Sequence, residues 1–245
     1  MDVIEVENLT KKYNKFVAVD DISFSVKGGE IFAFLGPNGA GKTTSLKILT
    51  TILQPTSGHI RVNGYDVLHK KNDVRKSIGV IFQDNSLDDK LTAYENMEYH
   101  AVLYKVPKKE IKGRVDELLD NVELPDRKND LIKTFSGGMK RRIEIARGLI
   151  HTPKVLFLDE PTLGLDVHTR AFLWEYIRDL KEKNNLTVFL TTHNLDEAEK
   201  IADRIAIIDK GKIQTIGTFE QIKELTGTNT LEQAFLKLTG HAIRN

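Results

Sequence analysis

The 245-residue sequence contains no cysteine and only one tryptophan, three methionines and six prolines. Without cysteine there is no disulfide scaffold and no thiolate metal centre, which suits the cytosol without requiring it. Long apolar runs are also missing. The longest, IFAFL at 31–35, VLFL at 155–158, TVFL at 187–190 and IAII at 205–208, fall far short of the roughly 20 residues that span a bilayer as a helix. The chain is therefore not expected to cross a membrane by itself. The opening residues, MDVIEVENLTKKY, lack the basic segment and apolar core of a secretory signal. A large charge of either sign is absent too: 36 Lys and Arg face 35 Asp and Glu, leaving a formal charge of +1. Nucleic acid and strongly acidic substrates are thus not the default partners. No internal repeat or low-complexity tract interrupts the chain.

What is present is a succession of short apolar runs alternating with helical patterns. With 40% hydrophobic residues, the chain can bury a core sufficient for one large domain or two small ones. Residues 3–9 and 17–26 alternate in part and read as half-exposed antiparallel strands. The runs at 31–35, 78–82, 155–158, 187–190 and 204–208 are nearly continuous in apolar residues, as strands buried on both faces of a parallel sheet must be. Helical periodicity covers 42–51, 167–183 and 195–202 between them, giving an α/β pattern. From about 93 to 150 no strand is evident. Ile111, Val115, Leu118, Leu119 and Val122 repeat at helical spacing, so this stretch reads as an all-helical insertion. Residues 230–238 read as a short helix that packs back on the core.

Two stretches carry chemistry. The first, GPNGAGKT, fits the G-x-x-x-x-G-K-[ST] pattern directly after a strand and before a helix. Gly36, Pro37, Asn38, Gly39, Ala40 and Gly41 turn backbone N–H groups toward one anion, and the helix start adds partial positive charge. Lys42 brings a full charge to the terminal phosphates of a nucleoside triphosphate. Thr43 offers a hydroxyl to Mg²⁺, and Thr44 follows in the same cradle. The second stretch, KVLFLDEP at 154–161, is an apolar strand ending in two carboxylates. Asp159 at that strand end suits Mg²⁺ ligation, often through water, and Glu160 suits a general base aimed at an attacking water.

Further along, Ser136, Gly137 and Gly138 open a basic helical run, KRRIEIARGLI. A serine cap followed by two glycines leaves bare N–H groups, hence a second anion site that the phosphate loop itself does not need. At this point the chain resembles the ATP-binding subunits of ABC transporters, whose signature reads LSGGQ. Ser136, Gly137 and Gly138 match it, whereas Phe135 and Met139 depart from it. The resemblance extends over nearly the whole chain, with the motifs in the family's order. It implies a P-loop NTPase (RecA-like) α/β core, about 1–88 and 151–220, carrying an antiparallel β subdomain. An α-helical subdomain is inserted at about 89–150, and a short C-terminal helical extension covers about 221–245.

The same resemblance assigns roles to isolated residues. It places Tyr13 on the adenine, and gives Gln83 a Mg²⁺ or water contact and a hinge to the inserted helices. His193 becomes a switch that touches the γ-phosphate, a role imidazole also suits chemically. Gly164, Leu165 and Asp166 match a loop lining a dimer contact, although Val167 stands where proline is common. The six other histidines read as surface or packing residues. Two subunits, identical or paired with a second cassette, are implied to lie head to tail, with Ser136–Gly138 of one gripping the γ-phosphate held by the other's Lys42. ATP hydrolysis with Mg²⁺ would then power a separate transmembrane permease, docked through about 84–99, at the cytoplasmic face of the membrane. The segment's Leu87, Leu91, Tyr94 and Met97 are the apolar residues offered there. The single-cassette length and the ending TLEQAFLKLTG resemble drug- or antibiotic-type exporters.

Other classes compete less well. A superfamily ATPase acting on DNA or ribosomes would call for a long coiled coil or a fused second cassette, and 41–136 has no sustained heptads. The Lys140-Arg141-Arg142 run is expected to be a solvated helix face rather than a nucleic-acid contact. A nucleotide kinase or GTPase would lack the Ser-Gly-Gly helix start. A non-hydrolysing clamp would not need Glu160 and His193.

Overall fold

The computed structural model describes residues 1–241. Its core is a six-stranded sheet in the order β10-β9-β3-β8-β7-β6. These strands are β3 (Ile31–Leu35), β6 (Ile78–Ile81), β7 (Val155–Asp159), β8 (Thr187–Thr192), β9 (Arg204–Asp209) and β10 (Lys212–Gly217). All neighbours are parallel except β9 and β10. The continuous apolar runs are explained by their two-faced burial. Phe32, Phe34, Val155, Phe157, Phe189, Ala206 and Ile208 enter one apolar cluster. Ile31, Ala33, Leu35, Leu156, Leu158, Val188, Leu190, Ile205 and Ile207 enter another. Successive side chains point to opposite faces, so a strand with cores on both sides has no position for a polar residue.

The first face is covered by α1 (Lys42–Leu49) and by an antiparallel sheet. That sheet has the order β2-β1-β4-β5, from β1 (Asp2–Tyr13), β2 (Phe16–Lys27), β4 (Ser57–Val62) and β5 (Tyr65–Asp66). Between the sheets, Phe189 stands 5.8 Å from Phe32, 5.6 Å from Phe34 and 5.5 Å from Phe157, ring centre to ring centre. The second face is covered by α6 (Val167–Asn184), α7 (Leu195–Ile201), α8 (Phe219–Thr226) and α9 (Leu231–Thr239). The terminal helix does pack back: Leu231, Ala234 and Phe235 are buried in the second cluster. Residues 242–245 of the expected extension lie outside the described residues.

Between β6 and β7 the chain forms α3 (Ala93–Leu103), α4 (Lys108–Asn121) and α5 (Gly137–Leu149), with single 3-10 turns at Pro125–Arg127 and Ile132–Thr134. No strand occurs there, and a third cluster, including Met97, Ile111, Val115, Leu119, Ile132 and Ile143, fills the space between the helices. Leu87 and Met97 belong to that cluster. They are thus turned inward, and the large apolar side chains left exposed near the end of α3 are Tyr99, Val102 and Leu103. Helix α2 (Lys71–Ser77) and β10 have no counterpart in the sequence reading, whereas α8 begins two residues before the expected C-terminal helical extension. Helix α1 stops two residues before the expected end, since Thr50 leaves the helix and Thr51 takes φ 65°. Among the described residues, no helix is long and apolar enough to cross a membrane.

Candidate active site

The carboxyl ends of β3, β7 and β8 lie side by side, with Leu35 opposite Thr192 and Asp159 opposite Thr191. This is where an open α/β sheet binds ligands. Directly after β3 the backbone must stay close to β9: a Cβ on Gly36 would lie 2.2 Å from the carbonyl oxygen of Ile208. Gly41, the residue before α1, has φ 105°, and a Cβ there would meet Ala18 O at 2.6 Å. Both positions admit only glycine. The loop thus bends tightly enough to aim the start of α1 across the sheet end.

Lys42 begins α1 and is buried. Its Nζ donates to Gly36 O at 2.7 Å and Pro37 O at 3.2 Å, and lies 3.2 Å from Glu160 Oε1. Burial lowers the ammonium pKa, while the charges of Glu160 and Asp159 oppose that shift. Thr43 Oγ1 donates to Asp159 Oδ1 at 3.1 Å, and the buried Thr191 Oγ1 donates to the same oxygen at 2.5 Å. Glu160 has φ 47°, with its N–H donating to Thr191 O at 3.1 Å and Thr191 Oγ1 at 3.2 Å. Its second carboxylate oxygen is 2.9 Å from Nδ1 of His193. Lys42, Asp159, Glu160 and His193 therefore form one connected polar group, joined through Thr43 and Thr191.

An open cleft of about 250 Å³ runs along the loop. Its walls include Tyr13, Pro37, Asn38, Gly39, Gly41, Lys42, Thr43, Thr44, Gln83 and Glu160. Gly36 and Ala40 lie behind that wall, Ala40 buried and its N–H donating to Pro37 O at 3.2 Å. Tyr13 is 44% exposed at the end of β1, with Lys11 Nζ 5.1 Å from its ring centre. Phe16, across a two-residue turn, also lines the cleft and is even more exposed. The sequence reading missed it, although pairing across the turn sets the two aromatics opposite each other.

The signature residues sit elsewhere. Ser136 caps α5, its Oγ accepting from Met139 N–H at 3.2 Å, and both Ser136 and Gly137 are exposed. Open space surrounds a Cβ built on Gly137, whereas one on Gly138 would lie 2.9 Å from Thr169 Oγ1. Gly137 faces a second small cleft with Gln83, Glu160 and Gly164–Leu165, which shares Gln83 and Glu160 with the first but is lined by no residue of the phosphate loop. Phe135 is buried and anchors the turn. Asp166 caps α6 by accepting from Thr169 N–H at 2.9 Å, and the neighbouring Leu163 and Val167 are exposed.

Within the basic run after the signature, Arg141 departs from the expected solvated face. Arg141 is buried, with its Nε donating to Pro161 O at 2.9 Å and its Nη1 to Phe82 O at 2.6 Å. Lys140 pairs with Asp89 at 2.6 Å, and Arg142 pairs with Glu123 at 3.0 Å and lies 3.8 Å from the ring centre of Phe172. Arg141 is engaged inside the molecule, whereas Lys140 and Arg142 pair with carboxylates at its surface. Periodicity could not reveal this, because Arg141's carbonyl acceptors, Pro161 and Phe82, lie 20 and 59 positions away in sequence.

Comparison with known proteins agrees with this geometry. The ABC transporter family pattern matches residues 19–163. The daunorubicin/doxorubicin resistance ATP-binding protein of Streptomyces peucetius is 43% identical over 228 residues, covering 93% of this chain and 69% of that one. An ATP-binding subunit of an ABC transporter superimposes with a TM-score of 0.88 at 30% identity, covering 97% of this chain and 99% of that one. A dimeric, post-hydrolysis ATP-binding cassette bound to ADP and Pi superimposes at 0.80 with 28% identity, covering 88% of this chain and 98% of that one. The strand-to-loop-to-helix cradle, the strand-end carboxylates and the glycine-tipped helix thus have one common account: the chain belongs to the ABC transporter ATP-binding family and is an ATP-hydrolysing subunit that powers transport.

Proposed function

We propose that this subunit drives export through a separate membrane-spanning permease by closing head to tail with a second cassette over two ATP molecules. One observation carries the pairing: Ser136 and Gly137 are exposed and stand outside the cleft that holds the phosphate loop. An anion-ready helix start that does not line its own chain's phosphate-loop cleft is suited to serve a partner's nucleotide. In this reading the chain is one cassette. The core, about 1–88 and 151–220, holds ATP, the inserted helices, about 89–150, carry the signature, and the C-terminal extension from about 221 braces the core.

Roles follow from the contacts. The glycine-rich loop from Gly36 to Gly41, with Thr44, holds the phosphates, and Tyr13 stacks on the base. Lys42 exchanges its present acceptors for phosphate oxygens, stabilising charge that builds on the transferring group. Glu160 accepts a proton from water positioned in line with the γ-phosphorus, while His193, already hydrogen-bonded to it, contributes a donor to the γ-phosphate. Thr43, Asp159 and Gln83 would supply oxygen ligands that suit Mg²⁺, which would contribute neutralisation of phosphate charge. Among the described residues no three His, Asp or Glu side chains converge on a metal-sized site. Phosphate oxygens would therefore complete the ligand set. Loss of the γ-phosphate removes the link between the two chains.

Export is supported by the drug-resistance relative. The permease contact is assigned to the region of about 84–99, with Tyr99 as its exposed apolar residue. This places the subunit at the cytoplasmic face of the membrane. The pairing is tested by light scattering. Glu160→Gln with ATP should form a dimer, and the double variant with Gly137→Asp should remain monomeric while still binding ATP. A dimer undiminished by Gly137→Asp would overturn the head-to-tail arrangement. Co-purification of a protein with about six apolar spans would identify the permease.

A further inference from the structure

We propose that Arg141 is a positioning residue that links the signature helix to the same chain's own hydrolytic carboxylate. Arg141 lies one turn inside α5, behind the helix tip formed by Ser136 and Gly137. Its guanidinium donates to Pro161 O at 2.9 Å and Phe82 O at 2.6 Å, and more distantly to Asp159 O at 3.4 Å. Glu144 Oε2, 3.1 Å away, balances the charge. Pro161 and Asp159 are the residues on either side of Glu160, and Phe82 immediately precedes Gln83. One buried side chain therefore holds the backbone around both residues that face the reacting phosphate.

Glu160 depends on this restraint. At φ 47° it occupies a backbone region that side-chain-bearing residues avoid, which persists only where surrounding contacts over-determine it. Thr191 fixes its N–H, and Arg141 fixes the carbonyls before and after it. The same carbonyl contact explains why β6 stops at Ile81, since Phe82 O is taken by Arg141 rather than by the sheet. A displacement of α5 when its tip grips a partner's nucleotide would move these carbonyls with it. Engagement at one composite site would thereby re-aim Glu160 and Gln83 at the other. This relay rests on the head-to-tail reading.

The guanidinium is a planar fork that reaches several carbonyls at once; a lysine ammonium cannot span them. Arg141→Lys in the full chain should lower kcat for ATP hydrolysis about 10- to 100-fold, as expected when a reacting group is misplaced by about 1 Å. KM for ATP and affinity for ADP should stay within about threefold. The Hill coefficient for ATP should fall toward 1, and in the Glu160→Gln background the ATP-driven dimer should persist. Arg141→Gln combined with Glu144→Gln, which removes both charges of the buried pair, is read by the same criteria if the lysine variant does not fold. Wild-type kcat and Hill coefficient would overturn the proposal. So would parallel loss of ADP binding, or failure of both variants to fold, because either result marks a purely structural role. If Glu160→Gln with Arg141 intact forms no dimer with ATP, the head-to-tail reading falls, and the relay with it.

Discussion

Lys42 Nζ lies 3.2 Å from Glu160 Oε1, so the cation proposed to hold phosphate and the carboxylate proposed to activate water are held against each other. Both side chains are at most 10% exposed, so this ion pair is only weakly screened. A triphosphate entering the loop competes with Glu160 for the ammonium. Displacing the carboxylate would leave it hydrogen-bonded to His193 and, in the proposed role, free to take a water proton.

Replacing Glu160 with glutamine removes both the competition and the base. ATP should bind at least as tightly as in the wild type, while hydrolysis falls about 10²- to 10⁴-fold, the range supplied by a general base. Nucleotide titration together with phosphate release measures the two effects separately. Turnover within a few-fold of wild type would remove Glu160 from the chemistry.

Tyr13 offers an exposed ring at the rim of the phosphate-loop cleft. Base stacking on an aromatic contributes about 1–3 kcal/mol. Tyr13→Ala should therefore weaken ATP binding about 5- to 150-fold, and Tyr13→Phe should preserve it. Because Phe16 shares that rim, the Phe16→Ala variant indicates which ring takes the base. Unchanged affinity in Tyr13→Ala would move the base elsewhere.

Phe189 is fully buried on β8 among Phe24, Phe32, Phe34 and Phe157. Truncation to alanine leaves a cavity between the two sheets that ring neighbours cannot readily fill. The expected loss is about 3–5 kcal/mol, read from urea unfolding as a lower midpoint with an unchanged slope.

His100 on α3 stacks 4.7 Å from Tyr104, which in turn stacks 3.8 Å from His151. Burial, with Arg147 and His151 nearby, pushes the His100 pKa from 6.5 down to about 3. Between those values the unfolded chain binds a proton that the folded chain excludes, so stability falls as pH drops below 6.5. The contribution is complete above 6.5 and is lost progressively toward pH 3, at no more than about 1.4 kcal/mol per pH unit. His100→Phe keeps a stacking ring without the titration. Its unfolding free energy should decline less steeply than wild type over pH 6.5 to 4, and parallel curves would exclude His100 as the cause.

Local pattern was enough for the elements that make the sheet and the loop. A strand buried on both faces leaves an unbroken apolar run, so 31–35 and 155–158 were legible within one residue of β3 and β7. The phosphate loop was legible because its function needs fixed glycine spacing between a strand and a helix. Short, mostly polar elements such as α2 and β10 left no such trace, since neighbours decide which way they face. Phe82 and Leu87 show the same limit. Each is apolar, yet an arginine 59 residues away ends the strand at the first, and the inserted helices bury the second.

The sequence by itself determined the chemistry: an anion cradle, a paired carboxylate and a second anion-ready helix tip, all encoded within contiguous residues. Only the tertiary structure decided how these parts are joined. Lys42 meets Glu160, Thr191 clamps Asp159, Arg141 turns inward, and Ser136 and Gly137 stay outside the phosphate-loop cleft, because sheet register and helix packing decide which distant positions meet. Spacing along a chain fixes what a few neighbouring residues can bind; packing fixes which of them act on the same phosphate.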